Sequence, residues 1–162
     1  MRKYVSLLLM CFLLTGCKAQ ETFETVSDDL VHVQTARMAE IYLELPEEAA
    51  APVSQSEQGT LYQCDGYDLL LQTLEAGDLD RTLRAISGRS REELTVLETG
   101  MSGVKRYDLV WSCIGETGEQ VCRACVLDDG NYHYVLTAQA DADRAGELET
   151  VWEEIFGSYS VG

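Results

Sequence analysis

The sequence contains few basic residues, only two histidines and no long apolar segment, and these shortages exclude several classes of protein. Its 162 residues include 12 Lys and Arg against 28 Asp and Glu, a formal net charge of −16. An acidic surface repels the phosphates of nucleic acids and the headgroups of anionic lipids, so we expect no nucleic-acid partner. A membrane-spanning helix needs about 20 apolar residues in a row, and no run of that length occurs.

Familiar catalytic and metal-binding motifs are scarce as well. The sequence contains no Gly-x-Ser-x-Gly and no His-Glu-x-x-His. Its Cys-x-x-Cys spacing, Cys122 to Cys125, falls in a predicted strand, where the two side chains point to opposite faces, and no second pair follows at zinc-ribbon spacing. The acidic run at residues 128–131 lacks the spacing of a calcium loop and is explained by a turn. We therefore expect neither a metal nor a cofactor, and the sequence favours a domain that is not an enzyme.

The first 16 residues have the layout of a cleavable signal peptide. Arg2 and Lys3 give a positive start, and the apolar run of residues 4–14 is about half the length of a spanning helix. The tetrapeptide Leu14-Thr15-Gly16-Cys17 then resembles the lipobox of bacterial lipoproteins: an aliphatic residue, two small residues and a cysteine.

This resemblance implies that residues 1–16 are removed and that Cys17 becomes a diacylglyceryl-modified N-terminus. Two acyl chains are sufficient for stable anchoring. We therefore expect the protein to be held by lipid on Cys17 at the outer, extracytoplasmic face of the cell membrane. The alternative is an ordinary secretory signal in which the cysteine is coincidental.

The part of the chain after Cys17 has the size of one domain. Without Arg2 and Lys3, ten basic residues stand against 28 acidic ones, a formal charge of −18 over the mature chain. Residues 17–35 are polar and predict a tether that follows the lipidated cysteine. Residues 36–162 predict a single domain that is large enough to bury a sizeable core.

Alternating apolar residues and turn signals predict a sheet in the first half of this domain. Ile41, Leu43 and Leu45 share one face of a predicted strand over 39–45 that ends at Pro46, and residues 53–58 predict a polar loop. One helical turn is predicted over 47–51. Asp65-Gly66 predicts a tight hairpin turn that places Cys64 opposite Tyr67.

Two helices and four further strands complete the prediction. The first helix covers 78–88, with Asp78 as N-cap and Gly88 after its end. The last begins at Asp141 or Asp143. The strands are predicted over 94–99, 106–114, 120–127 and 132–140. This is an α+β domain, an antiparallel sheet of about six strands with helices packed on it.

Three segments resemble PsbP-like domains. They are the strand with a following Leu-Pro at residues 41–46, the long strand at 132–138 and the closing helix that ends in Ile155-Phe156-Gly157-Ser158-Tyr159. The resemblance spans roughly residues 36–161 and implies an α/β/α sandwich around an antiparallel sheet. PsbP proteins are accessory subunits of a photosynthetic complex, so the resemblance implies no activity and no functional residue.

Cys113 and Cys122 form a candidate disulfide. If their hairpin turns about Thr117-Gly118, the two cysteines face each other directly, at a separation that a disulfide can bridge. An extracytoplasmic location permits oxidation. The alternative is that they are buried free thiols that pack as small hydrophobic side chains. Cys64 has no partner that the sequence identifies.

The leading functional hypothesis is a non-catalytic, lipid-anchored module that binds a protein or a small-molecule ligand. One alternative is an envelope-associated enzyme that uses His133 and an acidic neighbour as a general base. Another is a purely structural envelope lipoprotein. Several tyrosines fall on predicted strands, where they serve either a recognition surface or packing beneath the helices.

Replacing the anchoring cysteine tests the interpretation of the leader. We expect Cys17→Ser to abolish incorporation of a labelled fatty acid, because serine lacks the thiol that accepts the lipid, and to release or strand a protein that still folds. Metabolic labelling followed by membrane fractionation measures this. Lipid label retained in Cys17→Ser would overturn the interpretation.

Overall fold

The computed structural model describes residues 37–49, 51–57 and 59–162. Residues 36–162 form one compact unit. The predicted signal peptide, Cys17, His32 and the predicted tether lie outside the described residues. Within the described part, no helix has the length and apolarity needed to cross a membrane.

Seven antiparallel strands form the main sheet. In the order in which they lie side by side, they are β2 (Ser54–Ser56), β3 (Gly59–Cys64), β4 (Tyr67–Glu75), β8 (Tyr132–Asp141), β7 (Glu119–Asp128), β6 (Val104–Ile114) and β5 (Val96–Met101). Two short strands, β1 (Ile41–Tyr42) and β9 (Ser160–Val161), pair with each other. The chain builds β2 to β4 as one meander, crosses to the far edge, and returns through β5 to β8 until β8 pairs with β4.

Helix α1 (Leu79–Ser87) packs on one face of the sheet, here called the α1 face. Its ends follow the prediction: the Asp78 carboxylate accepts a hydrogen bond from the Asp80 N–H, and Gly88 ends the helix at a φ of 71°. Leu83 is fully buried against the buried side chains of this face, among them Tyr107, Leu109, Trp111, Cys122, Ala124, Val126 and Val135.

Helix α2 (Ala145–Ser158) packs on the opposite face, the α2 face. Its buried residues meet the alternate side chains of the central strands β4, β7 and β8. On the helix side these are Leu148, Trp152, Ile155 and Phe156, with Tyr159 directly after the helix end. Because a helix lies on each side of the sheet, the architecture is the predicted α+β sandwich, with seven strands in the main sheet instead of about six.

Three details of the prediction are wrong. The strand predicted over 39–45 is only two residues long, Ile41–Tyr42, and it pairs with β9. Residues 54–56, predicted as part of a loop, form the edge strand β2. Neither aspartate caps α2: its N-cap is Arg144 without a side-chain cap bond. The Asp141 carboxylate instead accepts hydrogen bonds from Thr117 in the β6–β7 turn and from Gln120 at the start of β7.

The β6–β7 register also differs from the prediction, by two residues. The turn is centred on Glu116-Thr117, so Cys122 lies opposite Trp111 and Cys113 lies opposite Gln120. A shift by one residue would exchange the two faces of a strand, whereas a shift by two keeps the faces and changes the partners. The predicted face of Tyr107, Leu109, Trp111 and Cys113 is therefore right, and the direct opposition of Cys113 and Cys122 is wrong.

A buried hydrogen bond joins α1 to the sheet. Thr82 Oγ1 lies 2.8 Å from Nδ1 of His133, whose side chain is 1% exposed. We expect Thr82→Val to lower the free energy of unfolding by about 1–3 kcal/mol, because the imidazole nitrogen loses its partner in a buried site. Urea denaturation measures the change. Thr82→Ser keeps the hydroxyl and is the matched control; equal losses in both variants would contradict the assignment.

Candidate functional site

Helix α2 leaves half of its sheet face uncovered. It lies over β4, β8 and β7, and the buried cluster on this face includes no residue of β5 and only Val104, partly buried, from β6. Along β6 the side chains on the α1 face are mostly buried, while those on the α2 face become more exposed towards the β6–β7 turn. A groove therefore runs between α2 and the β5–β6 edge.

Apolar side chains form the exposed floor of this groove. Leu97 on β5 is 63% exposed, and Val110 and Ile114 on β6 are 57% and 81% exposed. The pairing of Leu97 with Asp108 places all three on the α2 face. Leu97 and Val110 lie in adjacent rows, and Ile114 lies two rows farther towards the β6–β7 turn. Large apolar groups that cluster in solvent are typical of binding surfaces, whereas single ones are common everywhere.

A cavity of about 590 Å³, here called the tail cavity, lies at one end of the groove. It is bounded by the chain that follows α2, from Tyr159 to Gly162, and by β5 and β6. Its wall is mainly apolar, with Val104, Leu127 and Val161, and its polar side chains include Arg106 and Asp129.

A second cavity of about 570 Å³, the helix cavity, lies beside the first turns of α2. Leu97, Val110, Val121 and Trp152 provide its apolar lining. Asp108, Arg123 and Glu149 add charges of both signs. Each cavity thus combines an apolar wall with a few polar groups, which is the usual composition of a ligand site.

Arg106 separates the two cavities and holds the end of α2. Its guanidinium donates two hydrogen bonds to the Asp108 carboxylate, at 2.7 and 2.9 Å, and others to the carbonyls of Phe156 and Tyr159. The hydrogen-bonded carboxylate raises the pKa of Arg106. Because the last turn of α2 contains no basic residue, Arg106 supplies the positive charge that a helix C-terminus favours.

Arg123 reaches the same helix from β7. Its guanidinium carbon lies 4.5 Å from the centre of the Phe156 ring, in a cation–π contact. The Arg123 side chain thus extends from the sheet to α2, and it also lines the helix cavity. Two arginines of an otherwise acidic protein thus lie along the groove.

Two buried hydrogen-bond donors beside the groove lack a partner among the described residues. They are the indole N–H of Trp152 and the hydroxyl of Tyr159. Trp152 lines the helix cavity, and Tyr159 lines the tail cavity. Burial raises the pKa of Tyr159, so its hydroxyl keeps its proton. Both polar atoms are themselves fully enclosed by the protein, so they are exceptions to the rule that buried donors are satisfied, and neither is open to a ligand in its cavity.

A hydrogen-bond relay ties the start of the domain to the tail cavity. The backbone N–H of Ala39 donates to the Tyr134 hydroxyl at 2.7 Å, and that hydroxyl donates to the Asp129 carboxylate at 2.9 Å. Partial burial disfavours the charge of Asp129. Hydrogen bonds from the N–H groups of Tyr132 and Asn131 and from Tyr134 outweigh that effect and lower its pKa.

The four cysteines of the described domain are free thiols that lie on two faces. Cys113 and Cys122 belong to the α1 face, and their Sγ atoms lie 3.5 Å apart although the residues are diagonal neighbours. Cys125 is fully buried in the cluster of the α2 face, and Cys64 packs against that cluster. Cys122 and Cys125 therefore point to opposite faces, as the strand assignment predicts.

His133, the histidine considered as a general base, is used for packing. His133 is buried beneath α1, with Asp128 Oδ2 3.8 Å from its Nε2, and it lines neither of the two cavities. This position gives no support to its role as a general base. A Ser-x-x-Lys spacing, Ser102 to Lys105, runs through the β5–β6 turn and into β6. Lys105 there lies 3.9 Å from Glu98.

The acidic turn and the tyrosines have structural roles as well. Oδ1 of Asp128 and of Asp129 accepts backbone N–H groups of the β7–β8 turn. Within the described residues, no three His, Cys, Asp or Glu side chains come together to hold a metal ion. Four tyrosines are buried beneath the helices instead of forming an open face: Tyr67, Tyr107, Tyr134 and Tyr159.

Comparisons with known proteins identify the fold. No family model matches the chain, and no curated protein matches it by sequence. The crystal structure of LpqN, involved in cell envelope biogenesis of Mycobacterium tuberculosis, is similar with a TM-score of 0.50 and 12% identity, over 76% of this chain and 84% of that chain. The solution structure of cyanobacterial PsbP (CyanoP) from Synechocystis sp. PCC 6803 is similar with a TM-score of 0.51 and 11% identity, over 78% of this chain and 95% of that chain. At such identities the likeness shows the fold alone, and it confirms the PsbP-like fold.

The Asp129 relay makes stability depend on pH in a defined direction. A lowered pKa in the folded state stabilises the protein fully above the ordinary carboxyl pKa of about 4, and this stabilisation disappears as the pH falls through the lowered value. We expect Asp129→Asn to lower the free energy of unfolding by about 1 kcal/mol at neutral pH and by less in acid. The reason is that an amide nitrogen cannot accept the hydrogen bond from the Tyr134 hydroxyl. Urea titrations across the acid range measure the difference from the unsubstituted protein.

Asp143→Asn removes the same charge from an exposed position and is the control. We expect its effect on the free energy of unfolding to stay small throughout. A difference between Asp129→Asn and the unsubstituted protein that grows as the pH falls would contradict the sign given above.

Proposed function

We propose that this protein is a lipid-anchored domain on the outer face of a bacterial cell membrane, and that it acts by binding a ligand in the groove between α2 and the β5–β6 edge. In this proposal residues 1–16 are removed, Cys17 carries the lipid, residues 17–35 form the tether and residues 36–162 form the binding domain. It is an accessory module without catalytic activity.

The lipobox-like tetrapeptide Leu14-Thr15-Gly16-Cys17 supports the anchoring part of the proposal. The folds that the domain resembles are consistent with an accessory role at an envelope: one belongs to a protein involved in cell envelope biogenesis and the other to a PsbP protein. The strong acidity of the chain also keeps such a domain away from anionic headgroups.

The observation that carries the binding function is the uncovered half of the α2 face. Leu97 and Val110 are more than half exposed at the wall of the helix cavity of about 570 Å³, and the tail cavity of about 590 Å³ lies along the same groove. A domain without a partner gains nothing from this exposure, because burying apolar area stabilises by about 25 cal/mol per Å². Covering the strip with the apolar part of a ligand recovers that energy.

The groove also indicates the chemistry of the ligand. Its floor is apolar, so the body of the ligand is apolar. The formal charge of −16 on the whole chain disfavours an anionic ligand in general. A neutral or cationic amphiphile, as a small molecule or as a segment of another protein, fits these features best.

A charge placed in the floor tests the groove. The probe is Nile red, a neutral apolar dye, and the protein is the compact domain of residues 36–162. We expect the dye to bind saturably and Val110→Asp to weaken this binding about tenfold or more, because the dye would desolvate a carboxylate in the floor of the groove. Dye fluorescence titrations measure the dissociation constant.

Val53→Asp is the matched control. Val53 is 58% exposed, almost the same as Val110, but it lies next to β2 at the opposite edge of the main sheet. We expect this variant to bind the dye like the unsubstituted domain, and both variants to unfold within about 0.5 kcal/mol of it. Equal dye binding by both variants, or no saturable binding, would argue against the groove as the binding site.

A further inference from the structure

Two of the four cysteines in the described domain approach each other. The Sγ atoms of Cys113 and Cys122 lie 3.5 Å apart on the α1 face. Cys64 and Cys125 belong with the cluster of the opposite face, where α2 covers the sheet. The fold therefore offers one pairing among these four thiols.

We propose that Cys113 and Cys122 form a reversible disulfide that links β6 to β7 near their turn. This inference goes beyond the proposed function, because it requires neither the groove nor a ligand. A disulfide holds its sulfurs about 2.0 Å apart, so the two atoms need to approach by about 1.5 Å. The right-handed twist of paired strands brings one of the two diagonal pairs together, and the observed contact is such a pair.

The two thiols differ in accessibility, which fixes the order of the reaction. Cys122 is 2% exposed, whereas Cys113 is only partly buried near the end of β6. Burial raises the pKa of Cys122 to about 12, with a further contribution from the hydrogen bond to Cys113. Because the thiolate is the nucleophile in disulfide exchange, Cys113 reacts first with an oxidant from solvent.

The oxidant is a small-molecule disulfide, and the reaction takes place in two exchanges. The Cys113 thiolate attacks one sulfur of the oxidant, so a mixed disulfide forms and one small thiolate leaves. The Cys122 sulfur then attacks the Cys113 sulfur and releases the second small thiolate, which takes up the Cys122 proton. Together the two cysteines lose two electrons and two protons, and the oxidant becomes two thiols.

Oxidation of the full chain in detergent with oxidised glutathione tests the proposal. We expect the protein to lose two hydrogen atoms, and peptide mapping without reduction to join the peptides that contain Cys113 and Cys122. Mapping assigns the bridge by residue, so the result does not depend on whether Cys17 carries lipid. Failure of the anchor and failure of the disulfide are therefore distinguishable.

Three single variants test the order of attack. Cys122→Ser should stop at the mixed disulfide and gain one glutathione on Cys113. Cys113→Ser should stay unmodified at Cys122, because the remaining thiol is buried. Cys64→Ser is the matched control and should still form the bridge. A stable glutathione adduct on Cys113 in the unsubstituted protein, or a bridge that maps to Cys64 or Cys125, would overturn the proposal.

Thermal unfolding tests the disulfide independently of mass spectrometry. The oxidised chain should melt several degrees above the reduced chain, because the bridge restricts the unfolded state. In Cys113→Ser the oxidised and reduced samples should melt together. An oxidised sample that melts below the reduced one would show that the bridge distorts the hairpin, which contradicts a disulfide built into this fold.

Discussion

In the described part of the chain, one helix lies on each face of a seven-stranded sheet, and each helix is too narrow to cover its whole face. Neighbouring strands lie about 4.8 Å apart, so seven of them span roughly 29 Å, whereas a helix with its side chains is about 10–12 Å wide. One helix covers two or three strands. Because α2 lies over the central strands, the α2 side of β5 and β6 remains in solvent. The groove is thus a consequence of the difference in width.

The elements that local sequence determines were predictable. Asp65-Gly66 fixes its hairpin because the turn needs a positive φ, which glycine adopts without steric cost; the φ of Gly66 is 85°. Asp78 and Gly88 likewise mark the two ends of α1. Strand β2 was not predictable, because Ser54-Gln55-Ser56 has no apolar alternation and forms a strand only through its pairing with β3. The β6–β7 turn has no such dipeptide at its centre, so its position was predicted one residue too late, which shifts the pairing by two residues.

The candidate site could be predicted only in part. Val110 and Ile114 alternate with buried residues of β6, so the sequence indicates that the end of the strand has apolar residues on both faces. That pattern is equally typical of a strand buried on both sides. The role of Arg106 depends on residues about fifty positions away, whose carbonyls it binds. Such a contact has no local signature, because it arises from the packing of α2 against a strand that is distant in sequence.

The pairing of β1 with β9 has a mechanical consequence. The N–H and carbonyl of Glu40 bond the carbonyl and N–H of Gly162, so both ends of the domain meet in one short ladder. Tension applied to the chain before residue 37 reaches this ladder and the Ala39–Tyr134 hydrogen bond first. Ala39, Val161 and Gly162 also line the tail cavity. The residues that hold the two ends of the domain together therefore also form part of the cavity wall.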